Sequence, residues 1–323
     1  MPRLPRNPVL DVTARAREPS FVTAAPDLSV VVVNWNGADY LRDCLASAVA
    51  PGREVIVVDN GSSDASEVEA RSFGADVVWI ANGANFGFST AANRGLRAAR
   101  GRLVLFLNPD ARANEPAIEA AVSVLSSRPG VGLVGVAVRD PQGQVVPTVE
   151  PFFSLRALRR GRWTERVRAP EGREPVEIDW CHGVFLLGRR EELLALGGFD
   201  ERFFLYAEDM DLCERVHESG RSVVYLPWVS VEHEGNRAGR VLLQERRAAA
   251  IFASSLQFYD RRHGWLARMT LRVAAGASFG FRALRYRLQR SPLAERYTAL
   301  ARVALGAPPE LFPERPAPRE VRS

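Results

Sequence analysis

"RLVLFLNPDA", from Arg102 to Ala111, decides how the chain is read. Five apolar residues, Leu103–Leu107, form a short run of the kind that makes a buried strand, and the run stops at Asn108-Pro109-Asp110. The stop has two readings. Asn-Pro-Asp makes a surface turn without any chemistry, because Pro fixes one dihedral and Asn and Asp bond locally. Alternatively the strand aims Asp110 at a ligand. The other strand ends have to decide between them.

Leu28–Val33 and Glu54–Val58 are β-branched runs bounded by turn residues, and Val77–Ile80 makes a third strand. Between them Asp39–Ala48 reads as a helix with Tyr40, Leu41, Cys44 and Leu45 on one face. Ser89 is placed to cap a second helix, Asn114 a third over Glu115–Ser127, and Val131–Val138 is a further strand. Strands alternating with helices predict an α/β fold, with a mostly parallel central sheet flanked by helices. In such a sheet ligands bind beyond the carboxyl ends of the strands. Asn34 and Asn36 follow the first strand, Asp59 the second, Asn82 the third, and Asn108 with Asp110 the fourth. Four consecutive ends carrying Asn or Asp point to one crevice. For Asn36 and Asn82 a plain turn role stays open; for Asp59 and Asp110 the ligand reading is favoured.

A second cluster lies downstream. "WCHGVFLLGRRE" (Trp180–Glu191) reads as a strand running into a short helix that ends at Gly197-Gly198. In "GFDERFFLYAEDMDLCERVHESG", Glu208, Asp209 and Asp211 open a helix whose buried side is Met210, Leu212, Cys213 and Val216. Acids in a first turn are favoured by the helix dipole alone. These acids, however, follow the aromatic stretch "FFLY", and a carboxylate buried beside like charge has its pKa raised, as suits a general base. His233 ends the strand-like "VSVEHEG".

Composition bounds the rest. The 323 residues suffice for one large domain or two modest ones, and 46% apolar content is ordinary for a packed core. Three separated cysteines, Cys44, Cys181 and Cys213, argue against a disulfide framework or zinc site and fit a reducing cytosol. No apolar run approaches the roughly 18 residues of a membrane span, and the N-terminus lacks a signal-peptide core. Residues 1–27 read as a disordered Pro/Arg-rich arm, and 306–323 as a disordered Pro-rich tail.

Six stretches, "VVVNWNG", "VVDNGSSD", "NFGFSTAANRG", "LFLNPD", "GGFDERFFLYAEDMDLCERV" and "VEH", follow one another in the order and spacing of the family 2 glycosyltransferases. The chain most resembles the bacterial rhamnosyltransferase branch, whose members build cell-surface polysaccharides. The resemblance spans roughly Leu28 to Gly235 and implies a GT-A fold over residues 28–240. It further implies that Asn34 and Asp59 contact the base and ribose of a nucleotide donor, within a donor-binding set of Asn34, Asn36, Asp59, Asn85, Asn93, Asn108 and Asp110. The family's Asp-x-Asp metal motif corresponds to Asn108-Pro109-Asp110. Asp110 and His233 are thereby implied as ligands of Mg²⁺ or Mn²⁺, and Asp209 as the catalytic base with Glu208 beside it. His182 and Val184 in "WCHGVF" depart from the family's small pair.

The chemistry asks for the same groups. Breaking an anomeric C–O bond leaves a diphosphate with added negative charge, which a divalent cation neutralises as a Lewis acid. Such cations use few protein ligands and keep water and phosphate oxygens. An acceptor hydroxyl has to lose its proton on the opposite face of the sugar, and one base with direct displacement gives inversion. The expected enzyme is an inverting glycosyltransferase that moves a sugar to a cell-surface glycan or a polyprenyl-diphosphate-linked acceptor. Rhamnose from dTDP-rhamnose is the leading donor. The alternatives are a UDP-sugar such as galactofuranose, or a non-catalytic nucleotide-sugar-binding subunit. A Rossmann dehydrogenase fails because no Gly-x-Gly-x-x-Gly follows the first strand.

Every cationic side chain is Arg, and 14 of the 43 lie between Arg237 and Arg302 against three acids. Residues 241–305 read as a basic amphipathic helical region. Phe252, Leu256 and Tyr259 fall at i, i+4 and i+7, and Leu266, Met269, Val273, Phe281, Leu284 and Leu288 continue a helical stripe, with Arg268, Arg272, Arg282 and Arg285 mostly off it. Packing on the catalytic domain and contact with an anionic membrane both fit. Nucleic acid fits less well, for want of an aromatic-interleaved binding module. The expected location is the cytoplasm, peripheral on the inner face of the cell membrane.

Overall fold

Residues 26–152, 170–235 and 246–306 are described by a computed structural model. The expected N-terminal arm and C-terminal tail fall almost wholly outside the described residues. At the centre is β1 (Leu28–Asn34), in which every residue is buried. It runs parallel between β2 (Arg53–Asp59) and β4 (Leu103–Leu107), with β3 (Val77–Ala81) parallel beyond β2. The side-chain alternation of β1 feeds two cores. Val30 and Val32 pack with Leu41, Cys44 and Leu45 of α1 (Ala38–Ala48), whereas Val31 and Val33 pack with Ala91, Ala92 and Leu96 of α3 (Phe88–Ala98). The fit under α3 is tight. A Cβ added to Gly95 would lie 2.3 Å from Cγ1 of Val31, so only glycine lets the helix approach β1.

Helix starts divide on the sequence reading. Asn114 caps α4 (Glu115–Ser127), its Oδ1 accepting the Ala117 N–H at 3.0 Å. Ser89 does not cap α3. The chain enters that helix through Gly87 at φ +88°, and Ser89 lies inside the first turn, buried, its Oγ without a hydrogen-bond partner. A short α2 (Ser66–Arg71) connects β2 to β3.

The remaining strands are β5 (Ala111–Arg112), β6 (Val131–Arg139), β7 (Val145–Val146), β8 (Val149–Glu150), β9 (Val176–Ile178), β10 (Trp180–Cys181), β11 (Phe185–Arg189) and β12 (Ser222–His233). The main path runs β3-β2-β1-β4-β11-β6-β12-β5. The first four strands are parallel; β11 enters antiparallel to both β4 and β6, and β12 is parallel to β6. "WCHGVFLLGR" is therefore two strands, broken at His182–Val184. "SVVYLP" and "VSVEH" are one strand, whose register slips between Leu226 and Ser230 around Pro227, a residue with no N–H to donate.

Helices α5 (Arg190–Ala195) and α6 (Glu208–Glu218) precede β12, and α7 (Arg247–Arg262), α8 (Trp265–Leu288) and α9 (Leu293–Ala304) follow it. Phe258 of α7 joins the core of the sheet, whereas Phe252, Leu256 and Tyr259 build a third core with Leu271, Phe279 and Leu300. Arg261 bonds the buried Asp211 of α6 at 3.0 Å and also pairs with Asp200, while Arg262 pairs with Glu214 and Glu218. Part of the arginine excess is thus internal pairing that fixes α7 to α6 and the Asp200 loop. On α8 the inward side is Leu271, Ala275, Phe279 and Ala283. The hydrophobic stripe read from sequence faces outward, with Phe281, Leu284 and Leu288 all at least 58% exposed. No helix among the described residues is long and apolar enough to cross a membrane.

Candidate active site

Beyond the carboxyl ends of β1, β4 and β12 lies a cavity of about 840 Å³, lined among others by Asn34, Asn85, Asn108, Asp110, Glu208, Asp209 and His233. Pairing of β5 with β12 sets one corner of it. His233 stands opposite Ala111, next to the turn in which the Ala111 N–H bonds the Asn108 carbonyl at 3.1 Å. The turn and the ligand readings of Asn-Pro-Asp therefore describe the same residues. Asp110 is 5% exposed, and its Oδ1 meets Nε2 of His233 at 3.0 Å; Nδ2 of Asn108 is 3.4 Å from the same nitrogen.

Two donors, one carboxylate and one imidazole, fit a cation that takes its remaining ligands from water and phosphate, and they do not by themselves make a closed metal cage. Consistent with that, no group of three or more His, Cys, Asp or Glu side chains is arranged to hold a metal among the described residues.

The other expected donor contacts are distributed unevenly. Asn34 reaches the cavity with its Oδ1 buried and unbonded, while its Nδ2 donates to Asp59 at 2.9 Å. Asp59 does not line the cavity. Its carboxylate accepts from Asn34, from the N–H groups of Gly61 and Ser62 and from the Ser62 hydroxyl, which takes up its four acceptor positions. Asp59 is placed as the organiser of the "DNGSS" turn. Asn36, held at φ +50°, binds Ser63 and is also outside the cavity wall. Asn85 lines the cavity and accepts the Gly87 N–H. Asn93 does not. Its amide oxygen accepts the Phe199 N–H at 2.8 Å, and its nitrogen donates to the Phe199 carbonyl at 2.7 Å and to Glu201, so it braces the Phe199–Glu201 loop.

Across the cavity, α6 starts at Glu208 and Asp209. Oδ2 of Asp209 accepts the Gly183 N–H at 2.9 Å, which is why the 182–184 segment leaves the strand. Burial raises the Asp209 carboxyl above its ordinary range, against the opposing charge of His182. Glu208 is raised further, by burial and then by the charge of Asp209, and its Oε2 has no hydrogen-bond partner. Burial thus pushes both neighbouring carboxyls upward, and the charge of Asp209 adds to the push on Glu208. Asp211, on the same turn, is held by Arg215 and Arg261 and belongs to the packing.

The residues before the pair are strained. Tyr206 and Ala207 lie at φ +71° and +65°, a conformation costing about 1–2 kcal/mol per non-glycine residue. Neither type is a left-handed former, so sequence reasoning missed both. It also missed Arg247, Arg282 and Arg296, which bring the C-terminal helices onto the cavity wall.

Residues 29–187 match the family described as Glycosyl transferase family 2. The chain is 33% identical over 290 residues to the N-acetylglucosaminyl-diphospho-decaprenol L-rhamnosyltransferase of Mycobacterium tuberculosis H37Rv, covering 79% of this chain and 91% of that protein. It is 24% identical to rhamnosyltransferase WbbL of Escherichia coli K12, over 65% of this chain and 84% of that one. Among solved structures, the mannosyltransferase of Pyrobaculum calidifontis, in complex with GDP-Man and Mn²⁺, superposes with a TM-score of 0.51 at 18% identity, covering 88% and 86% of the two chains. Fold and site together define a GT-A glycosyltransferase. The chain belongs to glycosyl transferase family 2.

Proposed function

We propose that this enzyme transfers a hexosyl group, rhamnose from dTDP-rhamnose first among donors, to a hydroxyl of a polyprenyl-diphosphate-linked or glycan acceptor, with inversion. The observation that carries it is one cavity lined both by the Asp110–His233 pair and by the Glu208–Asp209 pair. The mycobacterial relative, whose name gives a diphospho-decaprenol acceptor and a rhamnosyl donor group, supports the choice of sugar and acceptor.

Asn34, Asn85 and Asn108 line the part that would receive the nucleotide sugar, with Asp110 and His233 beside its diphosphate. Mg²⁺ or Mn²⁺ held by Asp110 and His233 would supply Lewis-acid neutralisation of the leaving diphosphate. Asp209 takes the proton of the acceptor hydroxyl as its oxygen bonds the anomeric carbon, while the bond from that carbon to the diphosphate oxygen breaks. The Gly183 N–H keeps the Asp209 carboxylate oriented. The outward apolar stripe of α8, flanked by Arg285 and Arg287, supports peripheral seating on an anionic membrane surface.

Transfer is tested with dTDP-rhamnose, UDP-galactofuranose and GDP-mannose, each with Mn²⁺ or EDTA, on a lipid-linked acceptor. Metal-dependent transfer from dTDP-rhamnose alone is the expected result. Transfer only from a UDP-sugar overturns the donor assignment, and full activity in EDTA overturns the metal role of Asp110 and His233.

A further inference from the structure

The cavity has a wall that donor binding leaves unused. Helices α7, α8 and α9 bring Arg247, Arg282 and Arg296 to it, on the same continuous space as Asp209. Among the neighbouring arginines, Arg261, Arg262 and Arg272 turn away from the cavity to pair with Asp211, Glu218 and Asp260. Arg247, Arg282 and Arg296 have no acidic partner among the described residues. Nε of Arg247 donates to the Tyr206 hydroxyl at 3.2 Å, and the Arg282 guanidinium lies 5.7 Å from the centre of the Tyr297 ring. Those contacts orient the two side chains while leaving most of their N–H groups without a partner among the described residues.

Beside the arginines the wall turns apolar. Phe252 and Phe279 meet edge to face at 5.1 Å, Phe279 lies 6.2 Å from Tyr297, and Ile251 and Leu300 line the same space. A free glycan would call for hydroxyl-bonding groups here, and a free phosphate would find no use for the rings. Unpaired guanidinium forks match phosphate oxygens. Forks next to an aromatic throat match a phosphate ester of a hydrocarbon.

We propose that Arg247, Arg282 and Arg296 hold the diphosphate of a prenyl-diphosphate-linked acceptor, with Phe252, Phe279 and Tyr297 covering its first isoprene units. The proposal deepens the transferase reading above and rests on it for the acceptor's sugar, which the subsite directs towards Asp209. Charge complementarity decides the headgroup and the ring cluster decides the tail.

The probe is farnesyl diphosphate, compared with farnesol and inorganic pyrophosphate. Binding is measured by calorimetry on the full chain with the donor site saturated by dTDP or UDP and Mn²⁺. Farnesyl diphosphate should bind under those conditions, farnesol and pyrophosphate each at least tenfold more weakly. The double variant R282A/R296A should lose at least tenfold, and R282K/R296K, which keeps the charge but not the fork, should recover part of it. Melting curves of both variants establish that they are folded.

Binding that nucleotide abolishes overturns the subsite, because the probe is then in the donor site. So does equal binding of probe by R282A/R296A and the parent, and so does pyrophosphate binding as tightly as farnesyl diphosphate. The two readings fail separately. A parent chain that binds the probe yet transfers no sugar overturns the transferase reading and leaves the subsite standing; one that transfers sugar while the double variant binds normally overturns the subsite alone.

Discussion

Replacing Asp209 by Asn keeps the side chain's shape and removes its capacity to accept a proton. The structural cost follows from two hydrogen bonds. Oδ2 accepts from Gly183 at 2.9 Å and Oδ1 from Met210 at 2.8 Å. An amide has one acceptor oxygen, so one N–H loses its partner, at about 1 kcal/mol. The catalytic cost is larger. General-base assistance contributes about 10²–10⁴-fold, which at 1.36 kcal/mol per decade is about 3–5 kcal/mol of barrier. Single-turnover transfer with saturating donor, followed by chromatography of the product, should show that loss in kcat, while calorimetric donor affinity stays within threefold. The pH profile adds a second check. The parent's rate should rise with pH through a carboxyl held above the ordinary range by burial, and D209N should lack that limb. A D209N enzyme with kcat within threefold of the parent, or one whose defect lies wholly in donor affinity, refutes the role.

Asn93→Ala should leave the backbone N–H and carbonyl of buried Phe199 unpaired, costing about 2–4 kcal/mol; a melting midpoint lowered by less than 2 °C would contradict the bracing role. Glu54 has its carboxyl lowered because, against burial, Ser29 and Arg100 hydrogen-bond it. A depressed carboxyl contributes stability present above its unfolded value and lost as pH falls through its folded value. Denaturant unfolding of Glu54→Gln below about pH 4.3 should therefore show a shallower acid decline than the parent, and parallel declines would refute this. Leu284→Glu with Leu288→Glu should abolish sedimentation with anionic vesicles at unchanged melting midpoint, since both side chains already face solvent; retained sedimentation would remove the membrane face.

What sequence could say about this site followed from local pattern. Leu103–Leu107 is the strand it reads as, because five apolar residues with a Pro-containing stop leave few alternatives, and Asn114 caps as its residue type and its place before the apolar run predict. Ser89 misled because Gly87 opens the helix two residues earlier than a cap at Ser89 would. Asp59 and Asn93 look like donor contacts on paper, yet their lone pairs and N–H groups are consumed at 2.5–3.1 Å inside the protein. Periodicity also finds an apolar stripe on α8 without saying which way it faces. Leu271, Ala275, Phe279 and Ala283 face the interior beside Gly276, where an added Cβ would fall 2.9 Å from the Leu305 side chain, and the other stripe is left outside.

The same logic bears on what the C-terminal helices do for the catalytic half. Tyr206 and Ala207 keep their left-handed conformation only if their surroundings over-determine it. On one side the Phe88 N–H bonds the Phe204 carbonyl at 2.7 Å, and Gly87 is fixed as glycine by that contact, since its Cβ would fall 2.5 Å from the Phe204 oxygen. On the other side α7 supplies the Ser254 hydroxyl to the Leu205 carbonyl at 2.9 Å and Arg247 to the Tyr206 hydroxyl. The four residues that lead into Glu208 and Asp209 are thus clamped between the Gly87–Phe88 segment and the first C-terminal helix. Loosening α7 would release that strain and turn the start of α6, so the orientation of the Asp209 carboxylate depends on a helix outside the strand ends that hold Asp110 and His233. The arginine-rich segment reads from this as one unit with the cavity, joined to it by the residues that set Asp209.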